Sequence, residues 1–117
     1  MIKIEAIIRP ERINEVTNSL VEVGCAWFHY QNVTGQGQQQ GVEVFTGRGS
    51  ATTNRVSLPK VMITTVIENS NKKSVIEAII NAAKTSELGE IGDGKIFVSE
   101  VSDVIRVRTG DTGTKAL

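Results

Sequence analysis

Histidine, cysteine, tryptophan and tyrosine occur once each in 117 residues, and each scarcity removes a class of function. A lone His29 supplies neither a histidine-rich metal site nor the companions a catalytic triad needs, and no base neighbours Cys25 in sequence. That single cysteine also excludes an internal disulfide and a cysteine-rich zinc site; it fits a reducing compartment and the role of a small buried side chain. Aromatic residues are too sparse for stacking platforms along single-stranded nucleic acid. The thirteen basic and thirteen acidic residues cancel, so the broad positive surface that duplex binding demands is missing. Nucleic acid is therefore not an expected partner. No apolar run is long enough to span a bilayer, and Met1-Ile2-Lys3-Ile4-Glu5 alternates instead of forming the apolar stretch of an export signal. A cytoplasmic location without membrane insertion is the expectation.

What is present is period. Ile2, Ile4, Ala6 and Ile8 alternate with polar or charged residues, which predicts a strand with one buried face; Pro10 then opens a helix running to about Val23. Ile13, Val16, Leu20 and Val23 form its apolar stripe and Gly24 is its stop. Residues 26–34 read as a second strand, in which Trp27 and Phe28 are expected in the core or at a subunit interface, with the interface favoured. The glycine- and glutamine-rich stretch from Gly35 opens a long loop, about 37–57, expected to be structureless and to serve as a docking arm with Val42, Val44, Phe45, Arg48 and Arg55 as its contact residues. After Pro59, Val61 to Ile67 is apolar on both faces, as a central strand would be. Ser70 or Asn71 is placed to cap a helix with the stripe Val75, Ile76, Ile79, Ile80 and Ala83; Lys95 to about Val101 and then 104–108 read as further strands. The whole chain, 1–117, reads as one domain: an α+β ferredoxin-like βαββαβ sandwich with both helices on one face of an antiparallel sheet. The uncovered face argues for an oligomer.

Charge is concentrated in two motifs. Gly92-Asp93-Gly94-Lys95 combines glycines, whose backbone N–H groups approach an anion closely, with a mobile ammonium, and Arg106 and Arg108 stand two residues apart, where an extended chain projects both the same way. Taken alone, a glycine-lysine loop opening a strand is equally a turn with solvated charges. The arginine pair tips the reading toward a polyphosphate clamp.

Several segments together carry a resemblance. Ile4-Glu5-Ala6-Ile7-Ile8-Arg9-Pro10, Val33-x-Gly-x-Gly-x-Gln-x-Gly41, Leu58-Pro59-Lys60-Val61, Ile91 to Val98 and Ile105-Arg106-Val107-Arg108-Thr109-Gly110 resemble, in order and spacing, the PII nitrogen-regulatory signal proteins. The resemblance implies a homotrimer that binds ATP or ADP in clefts between subunits and uses its long loop to engage a membrane transporter or its ATPase subunit, or a nitrogen-metabolism enzyme. It further implies that Gly92, Asp93, Gly94 and Lys95 form the phosphate loop, within about 85–95, and that Arg106 and Arg108, in the C-terminal segment 106–117, reach the phosphates from a neighbouring subunit. Gly35, Gly37 and Gln39 would lie against the nucleotide, the glutamine near the γ-phosphate, magnesium or 2-oxoglutarate, with Gln38 beside it; His29, Thr64 and Val66 would line the adenine pocket.

The departures carry their own expectations. Relatives usually flank that glutamine with Arg and Lys, whereas Gln38-Gln39-Gln40 removes both charges from the place where a γ-phosphate or a dicarboxylate would sit. ADP is therefore expected to bind as well as ATP or better, magnesium at most as a companion of ATP, and 2-oxoglutarate weakly or not at all. The tyrosine modified in relatives is absent, since Ala51 and Thr52 follow Ser50. A dedicated metal site and a general base for ATP hydrolysis are not discernible, so the expected role is regulatory, not enzymatic; an interaction module that has lost its ligand would not have kept Lys95, Arg106 and Arg108.

Overall fold

The computed structural model describes residues 1–37, 44–46, 50–52 and 57–117, with side chains for 1–37 and 57–117. The elements run β1 (Ile2–Ile8), α1 (Ile13–Glu22), β2 (His29–Gly35), β3 (Val44–Thr46), β4 (Ser50–Thr52), β5 (Leu58–Ile67), α2 (Lys72–Ala83) and β6 (Gly94–Glu100), with 3-10 turns at Pro10–Arg12 and Asn69–Asn71 leading into the helices. β2, β5, β1 and β6 lie side by side in that order, all neighbours antiparallel, which is the ferredoxin-like sandwich expected from the sequence.

Alternation decides which face is covered. Ile2, Ile4, Ala6 and Ile8 are buried and stand opposite Ile67, Thr65, Ile63 and Val61 of β5, also buried; Val16 and Leu20 of α1 and Val75, Ile79, Ala82 and Ala83 of α2 close over them. The residues between them make the opposite face, where Lys3, Glu5 and Ile7 of β1 lie opposite Val66, Thr64 and Met62 of β5 and opposite Ser99, Phe97 and Lys95 of β6. Among the described residues no helix covers this face, and Phe97 is 54% exposed on it. Pro59 is tolerated in the central strand because it lies beyond the last β1 pairing, Ile8 with Val61, and faces only Thr34 of β2.

Several boundaries differ from the expectation, for local reasons. β2 starts at His29 instead of residue 26, because the main-chain carbonyl of Trp27 is taken by side chains, the Thr65 hydroxyl and the Cys25 thiol, instead of by a neighbouring strand. Cys25 is accordingly half-buried, not fully inside. Helix α1 stops at Glu22, where Gly24 takes a φ of 78° and ends it; Val23 is left exposed. Neither Ser70 nor Asn71 caps α2 through its side chain, the entry being made by the preceding 3-10 turn. The arm is not structureless: β3 and β4 pair through Val44 with Thr52, Phe45 with Ala51 and Thr46 with Ser50. Segment 104–108 is not a strand either. The Gly110 N–H donates to the Arg106 carbonyl and the Arg106 N–H to the Asp111 carbonyl, so the chain folds back on itself and keeps only the single bridge of Ile105 with Thr112.

Candidate functional site

The glycine-lysine loop is built at the end of the sheet where β6 begins. Gly94 stands opposite Ile8 with a φ of 133°, and a Cβ there would collide with the carbonyl oxygen of Ile7. This glycine is required by the close approach of β1, whatever the loop binds. Upstream, Asp93 has both carboxylate oxygens occupied. Oδ1 accepts from Arg9 Nε at 3.0 Å and from the Thr85 hydroxyl at 2.9 Å, while Oδ2 accepts from the backbone N–H groups of Glu90 at 2.8 Å and Thr85 at 3.2 Å. Burial alone would raise this carboxyl's pKa, but the hydrogen bonds from Glu90, Thr85 and Arg9 outweigh it and hold the pKa at about 2. Asp93 thus shapes the loop from within.

Two cations grip the loop's backbone. Arg9 donates through NH2 to the Ile91 carbonyl at 2.9 Å, and Lys60 Nζ donates to the Gly92 carbonyl at 2.7 Å. Partial burial, followed by the nearby Arg9 charge, lowers the Lys60 pKa against the opposing pull of Glu11 and Asp93. Because the Ile91 carbonyl is turned onto Arg9, the trans peptide turns the Gly92 N–H the other way. Lys95 is exposed and lies on the open face, in one row with Ile7 and Met62. Arg9, Lys60 and Thr85 were not among the site residues read from the sequence. Arg9 at the end of a strand just before a proline, and Lys60 just after one, are the only hints, and neither points to residue 93.

His29, Thr64, Val66 and Arg106 lie toward the opposite end of β5. His29 is in register with Thr64, and Val66 lies two residues further along the same face. Val66 lines a cavity of about 660 Å³ with Trp27, Glu68, Val104 and Arg106. The Arg106 guanidinium is held there by its own chain: NH2 donates to the carbonyls of Lys115 at 3.1 Å and Leu117 at 3.3 Å, and NH1 lies 3.5 Å from the Asp111 carboxylate. Arg108 is exposed. At the sheet edge Gly35 is opposite Leu58, with Gly37 just beyond the strand. Gln38, Gln39, Val42, Arg48 and Arg55 lie outside the described residues, as do the side chains of Val44 and Phe45.

The structure therefore divides the predicted set in two. The row of Gly94, Ile8 and Val61 and the row of Val66 are five residues apart on β5, about 17 Å. Lys95 on β6 is a further two strand spacings from β5, about 10 Å. Lys95, in the row of Met62, and Val66, which shares its cavity with Arg106, are thus well apart within one chain. Among the described residues no helix is long and apolar enough to cross a membrane.

Comparison with known proteins agrees with this architecture. The family model described as nitrogen regulatory protein P-II matches residues 1–111. The nitrogen regulatory protein P-II of Rhizobium meliloti (strain 1021) is 47% identical over 118 residues, covering all of both chains. The homologue of Arabidopsis thaliana is 46% identical over 114 residues, 97% of this chain and 56% of that protein. A crystal structure of Arabidopsis thaliana PII bound to citrate superimposes with a TM-score of 0.78 at 40% identity, covering 99% of this chain and 91% of that one. With a family match over almost its whole length and full-length relatives above 40% identity, the chain belongs to the nitrogen regulatory protein P-II family.

Proposed function

We propose that this chain is a non-catalytic signalling regulator that assembles as a homotrimer and binds ADP or ATP where two copies meet. One copy offers the loop of Gly92, Asp93, Gly94 and Lys95 together with Gly35, Gly37, Gln38 and Gln39; its neighbour offers His29, Thr64, Val66, Arg106 and Arg108. The single observation that supports this reading is the separation of the two groups along the sheet of one chain, which a second copy would bridge. The bare open face of the sheet, with Ile7, Met62, Val66 and Phe97 on it, is the surface that such an assembly would cover. The bound nucleotide would set the conformation of the arm around β3 and β4, and the arm would control a transporter or metabolic enzyme by contacts made in only one nucleotide state.

The specialised form of this reading is an adenylate-energy sensor acting on an ATP-driven or other non-ammonium transporter. The glutamine triplet at 38–40 favours it, since a pocket without those two charges discriminates poorly for a γ-phosphate, for its magnesium and for 2-oxoglutarate.

Subunit complementation tests the shared site. Lys95→Ala and Arg106→Ala should each abolish most ADP binding by calorimetry. When the two variants are unfolded together and reassembled in equal amounts, about one junction in four should carry both intact residues and bind again. If mixing restores no binding, or if the protein sediments as a monomer, the reading is wrong.

A further inference from the structure

Trp27 is the most conspicuous side chain that the fold leaves unexplained. It is the one tryptophan of the chain and is 52% exposed, although an indole is among the costliest apolar groups to leave in water. Its neighbour Phe28 packs against the core, so burial was available to this segment and Trp27 does not use it.

Its backbone is nonetheless fixed firmly. The Trp27 carbonyl accepts from the Thr65 hydroxyl, a side chain sealed within the central strand, and from the Cys25 thiol at 3.4 Å; the thiol also meets the Thr65 hydroxyl at 3.3 Å. The ring is fixed as well. His29 meets it edge to face, with centroids 5.1 Å apart and planes at 70°. An aromatic ring pinned at its backbone and steadied by a second ring, yet half exposed, is prepared to receive something flat.

The surroundings state what kind. The cavity that Trp27 lines is also lined by Val66, Val104 and Arg106, with Glu68 the one acidic residue among its walls. A planar apolar wall and a cation in one cavity fit a molecule that is a flat heteroaromatic ring at one end and anionic at the other. We infer that Trp27 is the base-stacking residue of this chain, against whose indole face the purine of a nucleoside phosphate lies. The inference rests on the nucleotide reading above and adds to it the side chain that holds the base. It also assigns Trp27 a ligand contact where the sequence favoured an interface residue.

The test uses the intact protein, ADP, and inorganic pyrophosphate as a probe that has the charge but not the base. Trp27 is the only tryptophan, so all indole emission reports on it. ADP should shift or quench that emission and pyrophosphate should leave it nearly unchanged. Trp27→Leu, which keeps apolar bulk and loses the π-face, should weaken ADP binding about tenfold to a hundredfold while pyrophosphate binding stays the same. Trp27→Phe should recover most of the affinity, a recovery that a merely space-filling role would not produce. Sedimentation of both variants at the wild-type rate separates stacking from assembly. If the wild type binds ADP by calorimetry but Trp27→Leu and Trp27→Phe bind it equally well, the stacking inference fails and the nucleotide reading stands. If the wild type takes up pyrophosphate but discriminates nothing in favour of ADP, or binds neither, both fall.

Discussion

At the end of the sheet where β6 begins, Arg9, Lys60, Thr85 and Asp93 satisfy one another and the loop backbone; at the other end, Trp27 and Arg106 face a cavity of about 660 Å³. In the first region Arg9, Lys60 and Asp93 each have protein partners, and so the loop's geometry exists before any ligand arrives, while Lys95 is left exposed. The second offers an exposed indole and a guanidinium shared among main-chain carbonyls and one carboxylate. On the proposed reading, a pre-organised half and a more accessible half would suit a site completed between copies. The difference also teaches that motif residues can serve the fold whatever the loop binds, as Asp93 and Gly94 illustrate.

The strongest way to break the scaffold end is Gly94→Ala. A Cβ at this position meets the Ile7 carbonyl oxygen, with the Ile7 carbonyl carbon at 3.1 Å and Ile8 Cα at 3.3 Å behind it, and all three belong to the central strand β1. Because backbone cannot yield as a flexible side chain would, the substitution should remove about 4 kcal/mol or more of stability. Urea unfolding of the purified variant measures it. A loss below about 1 kcal/mol would mean that β1 and β6 separate easily here.

Next in size is Arg9→Gln. The Arg9 side chain is 15% exposed and serves Asp93 and the Ile91 carbonyl together, so its removal leaves a partly buried carboxylate short of its counter-charge. A destabilisation of about 2–3 kcal/mol is expected, with the loop of 85–94 exchanging amide hydrogens faster while β5 and α2 keep their protection. The corresponding change at the accessible end, Arg106→Gln, should leave stability almost unaltered, which is how the two regions are told apart.

Acid should reveal the same asymmetry on a smaller scale. Asp93 has a folded-state pKa of about 2 against an ordinary value of 3.8, so its contribution is fully present above pH 4 and is lost as pH falls through 2. The linked stabilisation is about 2 kcal/mol. Comparing urea midpoints of the wild type and Asp93→Asn between pH 6 and pH 2.5 isolates it: the gap between the two proteins should narrow toward the acid end. A gap independent of pH would contradict the assigned hydrogen bonds.

The residues also explain which parts of this architecture were legible without coordinates. β1, α1, β5 and α2 announce themselves because one face of each is buried in the same core, so that Ile2-Ile4-Ala6-Ile8 and Val75-Ile79 carry the period of the element they form. Segment 104–108 carries a strand period too, yet no strand among the described residues receives it, and Val107 ends fully exposed; alternation states what a segment is able to do and is silent about a missing partner. The short pairing of β3 with β4 was hidden by the reverse difficulty, since runs of three residues leave no period to count. In the candidate site, the glycines and Lys95 could be recognised from spacing, but Arg9, Lys60 and Thr85 come to residues 91–93 from 82, 32 and 8 positions away, through contacts that exist only once the sheet has formed.

The smallest change, at Asp111, sharpens the contrast most directly. Its carboxylate lies 3.5 Å from Arg106, and both side chains are more than a third exposed, so solvent screens the pair and Asp111→Asn should alter stability by less than about 1 kcal/mol. The guanidinium keeps its bonds to the Lys115 and Leu117 carbonyls and therefore stays at the cavity. What it loses is the counter-charge. If Arg106 faces phosphate when a nucleotide binds, the freed charge should tighten ADP binding several-fold at low ionic strength, and the gain should fade as salt shortens the range of the interaction below about 10 Å. Calorimetry at two salt concentrations reads both effects. Binding that weakens or stays level at low salt would place the phosphates elsewhere and leave Arg106 as a clasp for its own C-terminal segment.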